Sequence, residues 1–184
     1  MTGSGAQIEV RTERLRLVAL DAVLAHLQRH DRDAFFTALR ARREAAWPPE
    51  LRGHFSMDRS LDALTAAPGE AGWHGWVFLM PVQGGPDRAV GAGGFHGAPG
   101  SDGAIEISYA MLPSFREQGL ATEAVEGLLG WAFADRNVKS VRARTPAHLA
   151  ASRRVLEKTG FRQTGEASVN GEQVADYARA VPQR

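Results

Sequence analysis

Residues 105–124 read IEISYAMLPSFREQGLATEA, and this stretch decides the fold. Its first eight residues favour a strand, Pro113 opens a short loop, and an amphipathic helix begins near Leu120. The loop contains the pattern R-x-x-G-x-A, in which Gly119 lets backbone N–H groups come close to a ligand. A strand that enters a helix through such a loop presents unpaired N–H donors and the positive end of the helix dipole. The stretch therefore predicts an anion site, and we expect the pyrophosphate of a nucleotide-containing cofactor.

Composition narrows the class of protein. The chain has 184 residues, which suits one domain with a real core, and its net charge of +1 argues against nucleic acid or a membrane as the main partner. It has no cysteine, which excludes disulfides, thiol catalysis and thiolate metal sites. No apolar run is long enough to span a bilayer, and no signal peptide is visible at the N-terminus. We therefore expect a cytoplasmic protein.

The order of predicted elements indicates a mixed sheet. We expect residues 1–7 to be disordered and residues 8–184 to form a single domain. A half-buried strand is predicted over residues 9–20, followed by two or three helices, one of them over residues 33–45. Three strands, a helix, a strand, a helix and a hairpin around Asn170-Gly171 complete the chain. This order predicts an α/β (α+β) fold with about seven strands, flanked by helices.

A second motif, SRRVLEKTGF at residues 152–161, makes the pattern specific. Taken with residues 105–124, it resembles the GNAT superfamily of acyl-CoA-dependent N-acetyltransferases, and in particular the branch similar to the RimJ/RimL ribosomal-protein acetyltransferases. The loop motif alone is weakly specific, whereas the two motifs in this order and spacing are strongly specific. The matching positions of the first motif are Glu106, Tyr109, Pro113, Arg116, Gly119, Ala121, Thr122, Glu123 and Ala124.

The resemblance implies a central sheet that is splayed in the middle, with acetyl-CoA as co-substrate bound at the opening and no metal. Pantetheine would lie along the strand and the pyrophosphate on the loop. The cofactor-binding residues that this implies are Tyr109, Ala110, Met111, Leu112, Arg116, Gln118, Gly119, Leu120, Ala121, Thr122 and Ser152. The spacing of Asp, His and Glu likewise predicts no metal site.

Glu106 is the candidate general base, because a protonated amine must lose its proton before it attacks a thioester. The alternative is that Glu106 pairs with an arginine and organises the cleft without titrating. Ser108 and Tyr109 are weaker candidates for protonating the leaving thiolate, and Tyr109 could equally be a packing residue. Many relatives carry a tyrosine acid in the second motif, and this chain has Leu156 there.

The acceptor side is expected to involve Trp47, Trp76, Phe95 and His96. For Trp76 and its near neighbour Trp73, core packing is the alternative, because it explains most such pairs. The resemblance implies a primary amine as acceptor, either a small molecule or a protein N-terminus. Direct attack in a ternary complex is expected, because no activated nucleophile is visible. The alternative is a non-catalytic acyl-CoA-binding or sensor domain. The edge of the C-terminal hairpin could also pair in a homodimer.

Overall fold

The structure is a computed structural model that describes residues 7–51 and 56–182. Within them lie nine strands: β1 (Glu9–Arg11), β2 (Arg16–Ala19), β3 (Ala41–Arg42), β4 (Gly75–Met80), β5 (Asp87–Phe95), β6 (Ala104–Met111), β7 (Ser140–Pro146), β8 (Arg162–Val169) and β9 (Glu172–Ala180). The same residues form five α-helices: α1 (Ala22–His30), α2 (Arg32–Ala38), α3 (Met57–Ala66), α4 (Leu120–Phe133) and α5 (Ala150–Lys158).

All nine strands join one sheet, in the order β1-β2-β4-β5-β6-β7-β9-β8, with β3 beside β5. The β6–β7 and β3–β5 pairs are parallel, and the other pairs are antiparallel. The mixed α/β sheet flanked by helices confirms the predicted fold class. The described residues form two strands more than the predicted seven. Both additional strands lie in the N-terminal third of the chain, one in the segment 9–20 and the other at β3.

The prediction of one strand over residues 9–20 is wrong, because this segment folds as a hairpin. β1 and β2 pair antiparallel with Glu9 opposite Val18. The Thr12 backbone N–H donates to the Leu15 carbonyl, and the Thr12 hydroxyl accepts from the Leu15 N–H at 3.1 Å. A hydroxyl that bonds nearby backbone favours a turn over a continuous strand.

The predicted helix over residues 33–45 is also too long. α2 ends at Ala38, and Arg40 adopts a positive φ of 53° that a helix cannot continue through. The next two residues form β3, and the Arg40 carbonyl accepts the Asp87 N–H at 3.0 Å. The chain therefore leaves the helix because the β5 edge offers backbone partners.

Residues 1–6 of the segment predicted to be disordered lie outside the described residues. Gln7, the last residue of that segment, is described, and its side-chain amide donates to the Ala19 carbonyl. This hydrogen bond joins Gln7 to the last residue of β2, so the chain already contacts the sheet at residue 7.

The sheet opens at β6, and this opening positions the site. Residues 107–111 of β6 pair with β5, whereas β7 pairs only with residues 104–106. Beyond that point β7 pairs only with β9 on its other side. The strands β6 and β7 therefore separate directly after Glu106, which confirms the predicted splay.

Helix α4 packs closely on the first hairpin. A Cβ on Gly127 would lie 2.8 Å from Leu17 Cδ1 and 3.0 Å from Thr12 Cγ2, so only glycine allows this approach. Ala124 and Leu128 on the inner face of α4 are fully buried. The burial of this face fixes α4, and with it the loop before α4, against β1 and β2.

Candidate active site

The loop between β6 and α4, residues 112–119, is called the cofactor loop here. It contains a short 3-10 turn over Pro113–Phe115 and ends at Gly119, whose φ is +77°. Gly119 is the N-cap residue of α4, and as a glycine it has no side chain to accept from the first N–H groups of the helix. Among the described residues, a Cβ on Gly119 would meet within 4 Å only the Arg14 Nη2 atom, at 3.4 Å. Unpaired N–H groups under an open glycine surface fit a diphosphate.

Two predicted cofactor-binding side chains shape this loop from within. Arg116 Nε donates to the Met111 carbonyl at 3.2 Å, and Gln118 Nε2 donates to the Ser114 carbonyl at 3.0 Å. Glu117 has a positive φ of 59°, which is uncommon for a residue with a side chain. The loop is thus held in a defined shape by its own side chains.

Backbone alternation along β6 decides which groups face the opening. The Leu112 N–H donates to Val90, and the Glu106 carbonyl accepts from His96, so both residues bond towards β5. In an antiparallel strand the next residues along the chain alternate in direction. The backbone groups of Tyr109 and Met111 therefore face the opening. By the same alternation the backbone of Ala110 bonds β5, and the Leu112 N–H and carbonyl bond Val90 and Phe115, so these groups are directed away from the opening or already paired.

Tyr109 and Ser152 meet on one face of β6. The Tyr109 hydroxyl donates to the Ser152 carbonyl at 3.2 Å and lies 3.5 Å from its Oγ. Burial raises the pKa of Tyr109 to about 12, although the hydrogen bond with Ser152 opposes the rise. The phenol therefore stays neutral near pH 7, and it joins the two sequence motifs at the opening.

The opposite face of β6 carries a cluster of Glu106, Ser108 and His96, called the polar cluster here. His96 Nε2 lies 2.8 Å from Ser108 Oγ, and His96 Nδ1 lies 4.0 Å from Glu106 Oε1. Successive side chains of a strand point to opposite faces, so Glu106 and Ser108 share a face that Tyr109 does not. Three groups able to accept or donate a proton thus stand where β6 and β7 separate.

The arginines closest to Glu106 in the sheet have other partners. Arg142 lies beside Glu106 in the β6–β7 register and pairs with Asp102 at 3.4 Å. Arg144 pairs with Asp176 at 2.7 Å, and this hydrogen bond raises the pKa of Arg144, with a smaller contribution from Glu106. Among the described residues no arginine forms an ion pair with Glu106, so the alternative role as an arginine partner lacks support there.

Three of the four predicted acceptor-side residues belong to the core. The exposed fraction is 3% for Trp47, 0% for Trp76 and 1% for Phe95, so none of them offers a surface to a substrate. The Trp76 indole donates to the Gly72 carbonyl at 2.7 Å, and Phe95 stacks on Trp131. Core packing, the alternative given for Trp76, therefore describes it correctly, and Trp47 and Phe95 are core residues as well. His96 alone lies at the opening.

Two further residues beside the cofactor loop, Thr12 and Arg14, were not predicted from the sequence. Both bind the side chain of Glu123 in the first turn of α4, with Thr12 Oγ1 at 2.6 Å and Arg14 Nε at 2.7 Å. Burial acts to raise the pKa of Glu123, but these hydrogen bonds together lower it below its usual value. No spacing rule finds such contacts, because they join residues more than a hundred positions apart.

The family model of the Acetyltransferase (GNAT) domain matches residues 22–162. The chain belongs to the GNAT acetyltransferase family. Members of this family transfer an acetyl group, and the GNAT fold uses acetyl-CoA. The matched range contains both motifs and the whole opening between β6 and β7.

Individual relatives agree with this assignment. An uncharacterised N-acetyltransferase of Bacillus subtilis, YjdG, is 29% identical over 154 residues, or 83% of this chain and 88% of that protein. A GNAT-family acetyltransferase from Bordetella pertussis has 25% identity and a TM-score of 0.62 over 95% of this GNAT chain and 100% of its own. A RimL ribosomal-protein alpha-N-acetyltransferase in complex with coenzyme A has 16% identity and a TM-score of 0.63, with coverage of 95% and 98%.

Two features are absent from the part of this GNAT chain that the structure describes. No helix there is both long enough and apolar enough to cross a bilayer. The same residues contain no group of three His, Asp or Glu side chains arranged to hold a metal ion.

Proposed function

We propose that this protein transfers acetyl from acetyl-CoA directly to a primary amine in a ternary complex. One observation carries the proposal: the opening in the sheet has the cofactor loop at one end and the polar cluster at the other. An elongated anionic ligand would fit along the open edge of β6, with its reactive end beside Glu106. Acetyl-CoA has this shape, and it supplies the acetyl group as an activated thioester.

The chain's own groups would bind this ligand along β6. The N–H groups at the start of α4 would bind the diphosphate, because Gly119 leaves them open. The backbone groups of Tyr109 and the Met111 N–H would bind the pantetheine amides as a neighbouring strand does, while the Met111 carbonyl accepts from Arg116 Nε. Ser152 would flank the same segment through its contact with Tyr109.

Glu106 would take the proton of the attacking amine. As the C–N bond forms and the C–S bond breaks, the proton passes from the nitrogen to the carboxylate. His96 stands between Glu106 and Ser108, with a nitrogen directed to each. Ser108 is then the group placed to return a proton to the departing sulfur, and His96 replaces the proton that Ser108 gives up. This route fills the place of the tyrosine that the second motif lacks.

We propose a protein N-terminus as the first acceptor to test, with small amines second. The RimL structural neighbour is named as an alpha-N-protein acetyltransferase, which favours this order. Arg144 beside Glu106 pairs with Asp176, so among the described residues Glu106 has an ion-pair contact only with His96, at 4.0 Å, and none with an arginine. A carboxylate in that position suits a cationic amine.

Two measurements test the proposal. Acetyl-CoA should raise the melting temperature of the protein with the logarithm of its concentration above Kd, and no shift at saturating ligand would refute cofactor binding. Thiol release should then appear with at least one member of a panel of N-terminal peptides and small amines. Binding without turnover across the whole panel would favour the acyl-CoA sensor instead.

Two expectations on assembly and location remain predictions. β8 lies at the end of the sheet and most of its residues are exposed, which is the edge that a homodimer would use. Light scattering or sedimentation measures this state directly. The expected cytoplasmic location is tested by fractionation.

A further inference from the structure

The turn of the first hairpin reaches across to the start of α4. Glu123 there receives three hydrogen bonds from the turn. Its Oε1 accepts from the Thr12 hydroxyl and from the Arg14 backbone N–H, both at 2.6 Å, and its Oε2 accepts from Arg14 Nε at 2.7 Å. The side chain of Glu123 is only 14% exposed. Both carboxylate oxygens are therefore occupied by the turn.

Arg14 continues from Glu123 to the cofactor loop. Its Nη1 donates to the Gln118 carbonyl at 2.9 Å. Its Nη2 lies 3.4 Å from the point where a Cβ of Gly119 would stand, which is above the open surface of the loop. One planar guanidinium thus contacts the first turn of α4, the loop backbone and the space over Gly119 at the same time.

This arrangement resolves a conflict of charge. The N-terminus of α4 attracts anions, and Glu123 is an anion in its first turn. A carboxylate without other hydrogen-bond partners would compete with a diphosphate for the N–H groups at this helix N-terminus and would repel it. The three hydrogen bonds turn the carboxylate towards the hairpin, and the Arg14 charge neutralises it.

An open pocket of about 290 Å³ supports a ligand at this place. Arg14, Gly119, Thr122 and Glu123 line it together with Lys158 at the end of α5. The pocket therefore joins the hairpin turn, the loop and the second motif. Arg14 and Lys158 bring two cationic side chains to this pocket, and the carboxylate side chains of Glu13 and Glu126 also line it.

We propose that Arg14 and Glu123 form a clamp that holds the cofactor loop in its diphosphate-binding shape, with Arg14 Nη2 donating to the diphosphate of coenzyme A. The inference rests on the proposed use of acetyl-CoA. It adds the first hairpin to the cofactor site and makes Arg14 a positioning residue for that ligand. Gln118 then contributes through its carbonyl, which Arg14 holds, and not through its side chain.

The test is coenzyme A affinity, measured by calorimetry on the full chain. Arg14→Gln should weaken binding at least about tenfold, because it removes charge-assisted hydrogen bonds to both the loop and Glu123. Arg14→Lys should weaken it almost as much, since a lysine cannot bridge three sites with one planar fork. Arg11→Gln is the matched control: Arg11 lies on the same hairpin, is 72% exposed and pairs with Glu9. It should bind as the wild type does.

A double variant separates the clamp from independent contributions. In a clamp the effects of Arg14→Gln and Glu123→Gln are not additive, so the double variant should bind about as weakly as Arg14→Gln alone. With acetyl-CoA as the varied substrate, the variants should raise KM and leave kcat within about twofold. A purely structural role would instead lower the melting temperature of the free protein without changing affinity at a temperature where the variant is folded.

The outcomes are distinguishable from failure of the proposed function. If the wild type does not bind coenzyme A, the proposed function fails and the clamp fails with it. If the wild type binds and Arg14→Gln binds equally well, only the clamp is refuted. Full rescue by Arg14→Lys would show that charge alone acts there, which also overturns the clamp.

Discussion

Replacement of Glu106 by Gln tests the proposed chemistry most directly. The amide has the shape of the carboxylate but cannot take a proton from the amine. Removal of a general base commonly lowers the rate about 10²- to 10⁴-fold. His96 Nδ1 lies only 4.0 Å from Glu106 Oε1, so a second base stands close to the first. We therefore expect the lower end, a loss of about 10²-fold in kcat/KM for the acceptor, or about 2.7 kcal/mol.

The assay is thiol release at saturating acetyl-CoA, with the acceptor that the panel identifies. The Glu106→Gln, His96→Asn double variant should lose at least about tenfold more than Glu106→Gln, because the second base is then gone. The affinity for coenzyme A should stay unchanged, since Glu106 lies outside the cofactor loop. Glu166→Gln, on the exposed strand β8, is the control and should act as the wild type does.

The change of the Glu106→Gln deficit in kcat/KM with pH distinguishes a general base from a residue that only orients the amine. An N-terminal amine has a pKa of about 7.7–8.0, so most of it is already neutral at pH 9. The deficit of Glu106→Gln should therefore shrink between pH 7 and pH 9. If the variant keeps more than a third of wild-type kcat/KM at pH 7, Glu106 is not the base. A deficit that is constant with pH would point to a role in orientation instead.

Three further predictions follow from single contacts. Tyr109→Phe should lower kcat/KM only about two- to tenfold. The pH–rate profile between pH 6 and 9 should stay unchanged, because the phenol has a pKa of about 12 and is neutral throughout. Loss of an alkaline limb of the profile in the variant would contradict this. The carboxyl of Glu123 has a folded pKa below its ordinary 4.5, so it stabilises the protein above that pH and the contribution is lost as pH falls. Melting temperatures of Glu123→Gln should accordingly fall less steeply than those of the wild type between pH 6 and 3.5, and equal slopes would refute the shift. In denaturant unfolding, Gly94→Ala should cost more than about 2 kcal/mol of unfolding free energy, because its Cβ would lie 1.9 Å from the His74 carbonyl oxygen at a φ of +138°. Gly85→Ala is the control and should be nearly neutral, because its Cβ would meet nothing closer than 3.7 Å.

Local signals in the sequence predicted the elements that local chemistry controls. Asp21 accepts from the Leu24 N–H as the N-cap of α1, and α1 and α3 are among the helices predicted after the first strand. The strand, loop and helix over residues 105–124 fold as expected because their glycine, proline and alternation act within a few residues of each other. Where the predictions failed, a distant partner decided the outcome. β3 exists because the edge of β5 lies beside it, more than forty residues away.

Burial explains the failure on the acceptor side. An aromatic residue near a predicted cleft has the same sequence signature whether it faces the cleft or the core. Trp76 and Phe95 point to the core because they pack with Trp131 of α4, and that helix takes its position from the first hairpin. The strand alternation of β5 could have separated Phe95 from His96, since neighbours on a strand face opposite sides. Only one of the two side chains can face the core, and burial of the apolar phenylalanine costs less free energy than burial of the histidine.

The two halves of the site differ in how they depend on the rest of the chain. The cofactor loop is a contiguous segment, and its shape depends on the hydrogen bonds of Arg116, Gln118 and Arg14 to its backbone. The polar cluster needs β5 and β6 in register, because His96 reaches Ser108 only when its N–H bonds the Glu106 carbonyl. A family motif therefore identifies the cofactor end reliably, whereas the acceptor end changes with every shift of a neighbouring strand. The proposed clamp cannot be found from the motif for the same reason, because Arg14 lies about a hundred positions before the loop that it contacts.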